Sequence, residues 1–193
     1  MPRTKEFDET EVLDKALEIF RARGFAHTSF EDLTSGLGVS RQSLYDTYGD
    51  KEELYDAALG RYLERGLARF REKLDDPAPI REVLSELFGS LVDMTCDGDG
   101  GCGCFMVNSM IELAPSDPQV RSLASRHAEG IEGLLASRMR RAQREGDLGS
   151  DKDPAALAHF FYHTILGMAV AARAFRNREA LRQTVRICLQ ALD

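Results

Sequence analysis

An all-α fold of about nine helices is what this 193-residue sequence predicts. Apolar residues recur three and four apart along almost the whole chain, and no stretch alternates as a half-buried strand does. Hydroxyl or carboxylate residues with an acid three places on mark where helices begin, and Gly or Pro marks where they stop. The break at Gly49 and Asp50 divides the chain into a small N-terminal three-helix unit, residues 1–50, and a larger helical unit, residues 51–193.

The first helix carries the stripe Val12, Leu13, Ala16, Leu17 and Phe20, and Gly24 suits the position just past its end. Thr28 and Glu31 have capping-box spacing, which predicts a short second helix starting there and ending near Gly36. Ser40 caps a third helix, with Val39 and Leu44 placed as a hydrophobic staple. Asp50 caps a fourth, with Glu53 in the capping-box place, and "DDPAP" stops it after Leu74. The fifth presents Ile80, Val83, Leu84, Leu87, Phe88 and Leu91 on one face until the Gly-, Asp- and Cys-rich stretch from Cys96 to Cys104 interrupts it. A short sixth helix runs from Phe105 to about Leu113, and a seventh from about Pro118 to Glu145. Pro154 opens the eighth, and the ninth carries Leu181, Val185, Cys188, Leu189 and Leu192.

The eighth helix is apolar on most of its circumference, so it must be covered on more than one side. Near the end of a chain this short, the expected cover is a second copy of the protein. Ala158, Ile165 and Met168, with Val185 and Leu189 of the ninth helix, are the expected interface. Lys and Arg number 25 against 32 Asp and Glu, a formal net charge of -7, which excludes a general affinity for nucleic acid or anionic lipid. The apolar runs read as too short and interrupted to cross a bilayer, and the charged N-terminus lacks the apolar centre of a signal peptide. The expectation is a cytoplasmic protein without a membrane partner, in a reducing environment where structural disulfides do not persist.

Phe25 to Leu54 reads as short helix, Gly-containing turn, short helix, which is a helix-turn-helix. In such a unit the second helix enters the major groove with its N-terminal residues at the base edges. Those residues are Arg41, Gln42 and Ser43, while Leu44 and Val39 supply the packing. Ser40, Tyr45, Thr47, Tyr48 and Lys51 add hydroxyls and a cation where phosphates pass. Gross charge argues the other way: Met1 to Lys51 holds seven basic and ten acidic residues, net -3. Local placement therefore has to carry DNA binding.

The stretch "TSFEDLTSGLGVSRQSLYDTYGDKEEL" resembles the DNA-binding region of the TetR family of bacterial transcriptional regulators. The match rests on Gly24, Thr28, Asp32, Leu33, Leu37, Gly38, Val39, Ser40, Leu44, Tyr45, Tyr48, Lys51, Glu53 and Leu54, and covers about the first sixty residues. The resemblance implies a homodimer whose last two helices pair with their copies, a three-helix DNA-binding unit, and an effector-binding core. It implies a repressor released from double-stranded operator DNA by a small molecule. By the family pattern Thr28, Tyr45 and Lys51 touch phosphates, and Arg41, Gln42, Ser43 and Thr47 face bases or backbone. Gln42 stands where a small residue is common and Thr47 where His or Tyr is common, so the operator sequence does not carry over.

The effector pocket is expected among helices four to eight, with Tyr62, Phe88, Leu91, Met94, Cys104, Met106, Met110, Met139, Phe161 and Tyr162 as candidate walls. Residues at such spacing also simply build core, and the chemistry of the effector is not legible. No cofactor is expected. His159 and His163 are four apart on one helix, but no third ligand is near in sequence, and Phe160 stands where the zinc-protease motif has its Glu. No metal site is assigned to them.

The cysteine stretch "CDGDGGCGC" begins like a calcium loop and then fails: counting from Asp97, the sixth place holds Cys102 and the twelfth Asn108. Cys96, Cys102 and Cys104 offer three thiolates to zinc or copper without an evident fourth ligand. Cys104 lies at the expected N-terminus of a helix, a place that favours thiolate. A Gly-Cys pair there also occurs in a thiol-sensing subgroup of the family. Metal binding, thiol sensing and plain structure all remain open for these three cysteines. Two rival functions remain as well: a helical metal or ligand sensor that does not bind DNA, and a thiol-dependent enzyme, which needs a base aimed at a cysteine.

Overall fold

The computed structural model describes residues 7–97 and 103–193. Among them lie nine α-helices and a closing 3-10 turn, and no strand. They are α1 (Glu9–Arg23), α2 (Phe30–Leu37), α3 (Arg41–Tyr48), α4 (Lys51–Leu74), α5 (Ile80–Asp97), α6 (Phe105–Glu112), α7 (Pro118–Glu145), α8 (Pro154–Phe175) and α9 (Arg178–Cys188).

Local chemistry sets most of the helix ends. Asp8 caps α1, Ser40 caps α3, and Asp50 with Glu53 forms a reciprocal capping box on α4. Pro118 and Pro154 open α7 and α8 behind the caps Asp117 and Asp153. Gly38 takes φ 66° at the turn between α2 and α3, a left-handed conformation that favours glycine. The start of α2 differs from the expectation. Ser29 is the cap and Asp32 its partner, because the neighbouring Thr28 is buried and its hydroxyl donates to the Gly24 carbonyl at 2.7 Å.

Two apolar clusters form the interior. The first joins α1, α2, α3 and the N-terminal half of α4 to Phe105 and Met106 of α6 and Val120 and Ala124 of α7. At its centre the Tyr55 ring meets Phe20, Phe25 and Phe105 edge-on, with centroids 4.9, 5.1 and 5.2 Å away. The second cluster joins α5, α7, α8 and α9 and takes in Leu74 at the end of α4. Helix α4 thus has one end in each cluster. Leu54, Tyr55, Ala58, Leu59 and Leu63 pack with the N-terminal helices although they lie beyond Asp50. Asp14 of α1 ties the two segments electrostatically: its carboxylate accepts from Arg61 at 2.7 Å and Arg65 at 2.6 Å. The paired guanidiniums, Arg61 foremost, lower its pKa to about 2.

Helix α8 differs from one expectation and bears on a second. Its 22 residues are long and apolar enough to cross a membrane by length and composition alone, although they pack here against α5, α7 and α9. The face assigned to a dimer interface also turns inward. Ala158, Met168, Val185 and Leu189 are buried in the chain's own second cluster, and Ile165 packs against it half-buried. On α8 and α9 the exposed large apolar residues are Phe160 and Val170, then Phe175 at 77% and Ile187 at 58% exposure. A helix apolar all round carries no periodic signal to say which side faces inward.

Candidate functional site

Helix α3 stands at the surface with Leu44 as its one buried residue. Ser40, Arg41, Gln42 and Tyr45 are exposed, and Ser43 and Thr47 are half-buried. The Ser40 hydroxyl accepts from the Ser43 amide at 3.1 Å and lies 2.8 Å from the Ser43 hydroxyl. Gln42 donates to Asp46 one turn on, at 2.7 Å. Phe30 of α2 stacks on Tyr45, centroids 4.6 Å apart and 16° from parallel, and the Arg41 guanidinium lies over both rings. That stack fixes Arg41 at the start of the helix, a part for Phe30 that only the folded arrangement of α2 against α3 brings out.

Three of the expected phosphate contacts have other work in the fold. Thr28 is buried, as described above. Tyr48 donates to the Glu9 carbonyl at 3.0 Å, and burial, with Glu9 and Asp8 nearby, pushes its phenol up to about 12. Lys51 donates to the Phe25 and Thr28 carbonyls at 3.2 and 3.1 Å, with its ammonium 4.0 Å from the Phe25 ring centroid. These three shape the frame that holds α3, and Lys51 keeps a third ammonium proton for an outside acceptor. The acidic excess of this segment is largely engaged: Asp8 and Asp50 cap helices, Asp14 is paired, Glu11 and Glu18 meet Lys15 and Arg21, and Asp32 binds Ser29 and Arg23.

A cavity of about 140 Å³ opens among α4, α5, α6, α7 and α8. Of the walls read from sequence, Tyr62, Leu91, Met94, Cys104, Met106 and Tyr162 line it. Phe88, Phe161 and Met139 are fully buried core instead, and Met110 packs in the first cluster. Sequence reasoning missed Arg21 and His127, which approach from α1 and α7, and Ile165 and Met168, which had been placed on the dimer face. Three polar atoms of the wall are buried without a hydrogen-bond partner: the Tyr162 hydroxyl, His127 Nδ1 and Arg21 Nε. Burial pushes the Tyr162 phenol up to about 12, raises Tyr62 still further and lowers His127. Both phenols are therefore proton donors at neutral pH.

Cys104 occupies the N-cap position of α6 without a side-chain capping bond, and its Sγ lies 3.4 Å from the Tyr62 hydroxyl. Cys188 is buried, and desolvation pushes its thiol up to about 11. Cys102 and the side chain of Cys96 lie outside the described residues, as do residues 98–102 of the stretch that fails as a calcium loop.

Helix α6 connects the cavity to the DNA-reading helices. It starts at Cys104 and ends at Glu112, whose carboxylate accepts from the backbone amides of Phe25 at 3.3 Å and Ala26 at 2.8 Å. Midway, Ser109 and Tyr55 share a buried 2.6 Å hydrogen bond that joins α6 to α4. Eight residues of helix span about 12 Å, so a single helix joins the Cys104 end of the cavity to the loop between α1 and α2.

Residues 12–58 match the family profile described as "Bacterial regulatory proteins, tetR family", and residues 75–188 match "Tetracyclin repressor-like, C-terminal domain". The chain belongs to the TetR family of transcriptional regulators. It is 36% identical to the HTH-type transcriptional regulator YezE of Bacillus subtilis, over 100% of both chains. It is 32% identical to the HTH-type transcriptional repressor ComR of Escherichia coli, covering 94% of this chain and 87% of the other. Among solved structures, a cysteine-substituted TetR family regulator, CifR, in complex with 26-bp operator DNA superposes with TM-score 0.88 at 31% identity, over 99% of this chain and 100% of that one. Reduced NemR of E. coli shares the fold, with TM-score 0.83 at 20% identity over 95% and 96% of the two chains. As a TetR regulator, the protein binds DNA through the helix-turn-helix built by α2 and α3.

Proposed function

We propose that this TetR regulator is a homodimeric repressor that reads a near-palindromic operator with α3 and lets go when its cavity is occupied or Cys104 is modified. Arg41, Gln42 and Ser43 face the bases, and Tyr45, Thr47 and Lys51 meet the phosphates. Phe160 and Val170 of α8 and Ile187 of α9 offer the apolar face for the second copy, with Gly167 on the same exposed side allowing close approach. Cytoplasmic residence follows from the DNA target.

The observation that carries the switching mechanism is α6, anchored at one end in the cavity wall and at the other on the α1–α2 loop. A group added to Cys104 Sγ or lodged beside it has to displace the Tyr62 hydroxyl or the helix start. The shift moves Glu112 and with it the loop that Lys51 also holds. The effector suited to this cavity is small and apolar, with an oxygen that accepts from the unpartnered Tyr162 hydroxyl. A buried hydroxyl without a partner costs about 1–3 kcal/mol, which a matching ligand recovers.

The test is operator titration before and after treatment with iodoacetamide, in wild type and in Cys104→Ser. Wild type should lose at least tenfold in affinity and Cys104→Ser should hold within threefold. Equal loss in both would move the switch to another cysteine. No loss in either would leave a reversible pocket ligand as the only inducer.

A further inference from the structure

The cavity and the DNA-reading helices leave one polar cluster unused. His159 and His163 are one turn apart on α8, and packing of α8 on α7 brings Glu132 to them. The third ligand that is absent from the neighbouring sequence is thus supplied by another helix. We propose that Glu132, His159 and His163 form a binding site for a divalent transition-metal ion of the zinc class.

One donor atom from each residue lies within 4.8 Å of the other two. His159 Nδ1 is 3.1 Å from Glu132 Oε1, and the two imidazole centroids are 4.0 Å apart. His163 Nδ1 lies 2.9 Å from the His159 carbonyl. A carbonyl only accepts, so Nδ1 carries the proton and Nε2 keeps its lone pair for the ion. This is the arrangement metal-bound histidines commonly use, with the far ring nitrogen held by a carbonyl or carboxylate.

Two imidazoles and one carboxylate suit zinc and its neighbours, and leave one tetrahedral position for water. Calcium and magnesium ask for an oxygen shell that two imidazoles do not provide. Metal–ligand bonds of about 2.0–2.1 Å put tetrahedral donors roughly 3.3 Å apart. The cluster therefore closes by about 1.5 Å at its widest when the ion enters. Both histidines are exposed in the single chain, and His163 shares the α8 face of Phe160, Gly167 and Val170, so the site lies within or beside the proposed dimer seam.

The neighbours of these ligands show what the ion holds in place. Ile131 precedes Glu132, and Tyr162 precedes His163, and both line the effector cavity. The ion clamps α7 to α8 on the outer side of the same wall.

The experiment is calorimetric titration of Zn²⁺ into the metal-free full chain, repeated with Co²⁺ read by absorption. One ion per chain is expected, with affinity falling at least tenfold in His163→Ala and in Glu132→Ala. The Co²⁺ complex should lack the intense thiolate charge-transfer band. Circular dichroism and light scattering without metal should be unchanged in both variants, which separates loss of the site from loss of the fold or of the dimer. Binding that survives His159→Ala/His163→Ala intact, or that shows the thiolate band and vanishes on cysteine alkylation, would overturn the assignment. So would the absence of a stoichiometric site in wild type.

Discussion

Replacing Glu112 by Ala removes the polar link between the end of α6 and the α1–α2 loop without touching either the cavity or α3. Of its two bonds, the one to Ala26 at 2.8 Å is well formed and the one to Phe25 at 3.3 Å is long. Hydrogen bonds to a charged group contribute about 1.5–3 kcal/mol when sheltered. This carboxylate is exposed, so about 1–2 kcal/mol is expected for the pair. For a chain of this size that lowers Tm by about 2–8 °C. The informative readout is the coupling. Operator affinity of the unmodified variant should stay within about threefold of wild type, because Lys51 still holds the Phe25 and Thr28 carbonyls. The loss of affinity on iodoacetamide treatment should shrink several-fold, measured by fluorescence anisotropy on a labelled operator at fixed salt. A variant that responds to alkylation as fully as wild type would refute transmission through the end of α6.

Three further outcomes follow from the same geometry. Val170→Glu or Ile187→Glu should give monomers by light scattering, whereas a charge at Met168, which lies at 7% exposure in the cavity wall, should lower Tm instead. Cys104 should label faster than Cys188 under limiting iodoacetamide, read by peptide mass spectrometry, because Cys188 is buried with its thiol pushed up to about 11. Asp14, lowered from 3.8 to about 2 by Arg61 and Arg65, contributes stability that is present above pH 4 and is lost as pH falls toward 2. Asp14→Asn should thus be less stable than wild type at neutral pH and lose that deficit through this window, followed by thermal melts.

The elements with local causes were legible in the sequence. Ser40, Asp50 and Pro154 mark helix starts by chemistry contained within a few residues, and the structure has them in those roles. The start of α2 slipped by one because Thr28 with Glu31 and Ser29 with Asp32 satisfy the same pattern. Burial of Thr28 decides between them, and burial is a tertiary fact. The inward face of α8 was illegible for a related reason: Ala158 and Phe160 look alike to any periodicity, yet one is core and the other surface. Part of the cavity wall was found because Tyr62, Leu91 and Met106 come from the helices that surround it. Arg21 was missed because α1 lies outside the helices expected to surround the cavity, and His127 because the candidate walls were aromatic or mostly apolar residues. Glu132 beside the histidine pair and Glu112 beneath the α1–α2 loop belong to the same class of long-range partner.

The central claim is that α3 reads sequence, and that Gln42 at its exposed N-terminal turn takes part. Competition binding at fixed salt tests it most directly, with the DNA upstream of the protein's own gene against random duplex of equal length, for wild type and Gln42→Ala. Wild type should prefer the upstream site by about 10³-fold or more, the usual margin of specific over non-specific binding. Gln42→Ala should forfeit about 1–3 kcal/mol of that preference while its affinity for random duplex stays unchanged. Equal affinity of wild type for both duplexes, or a Gln42→Ala variant with the full preference intact, would contradict the account.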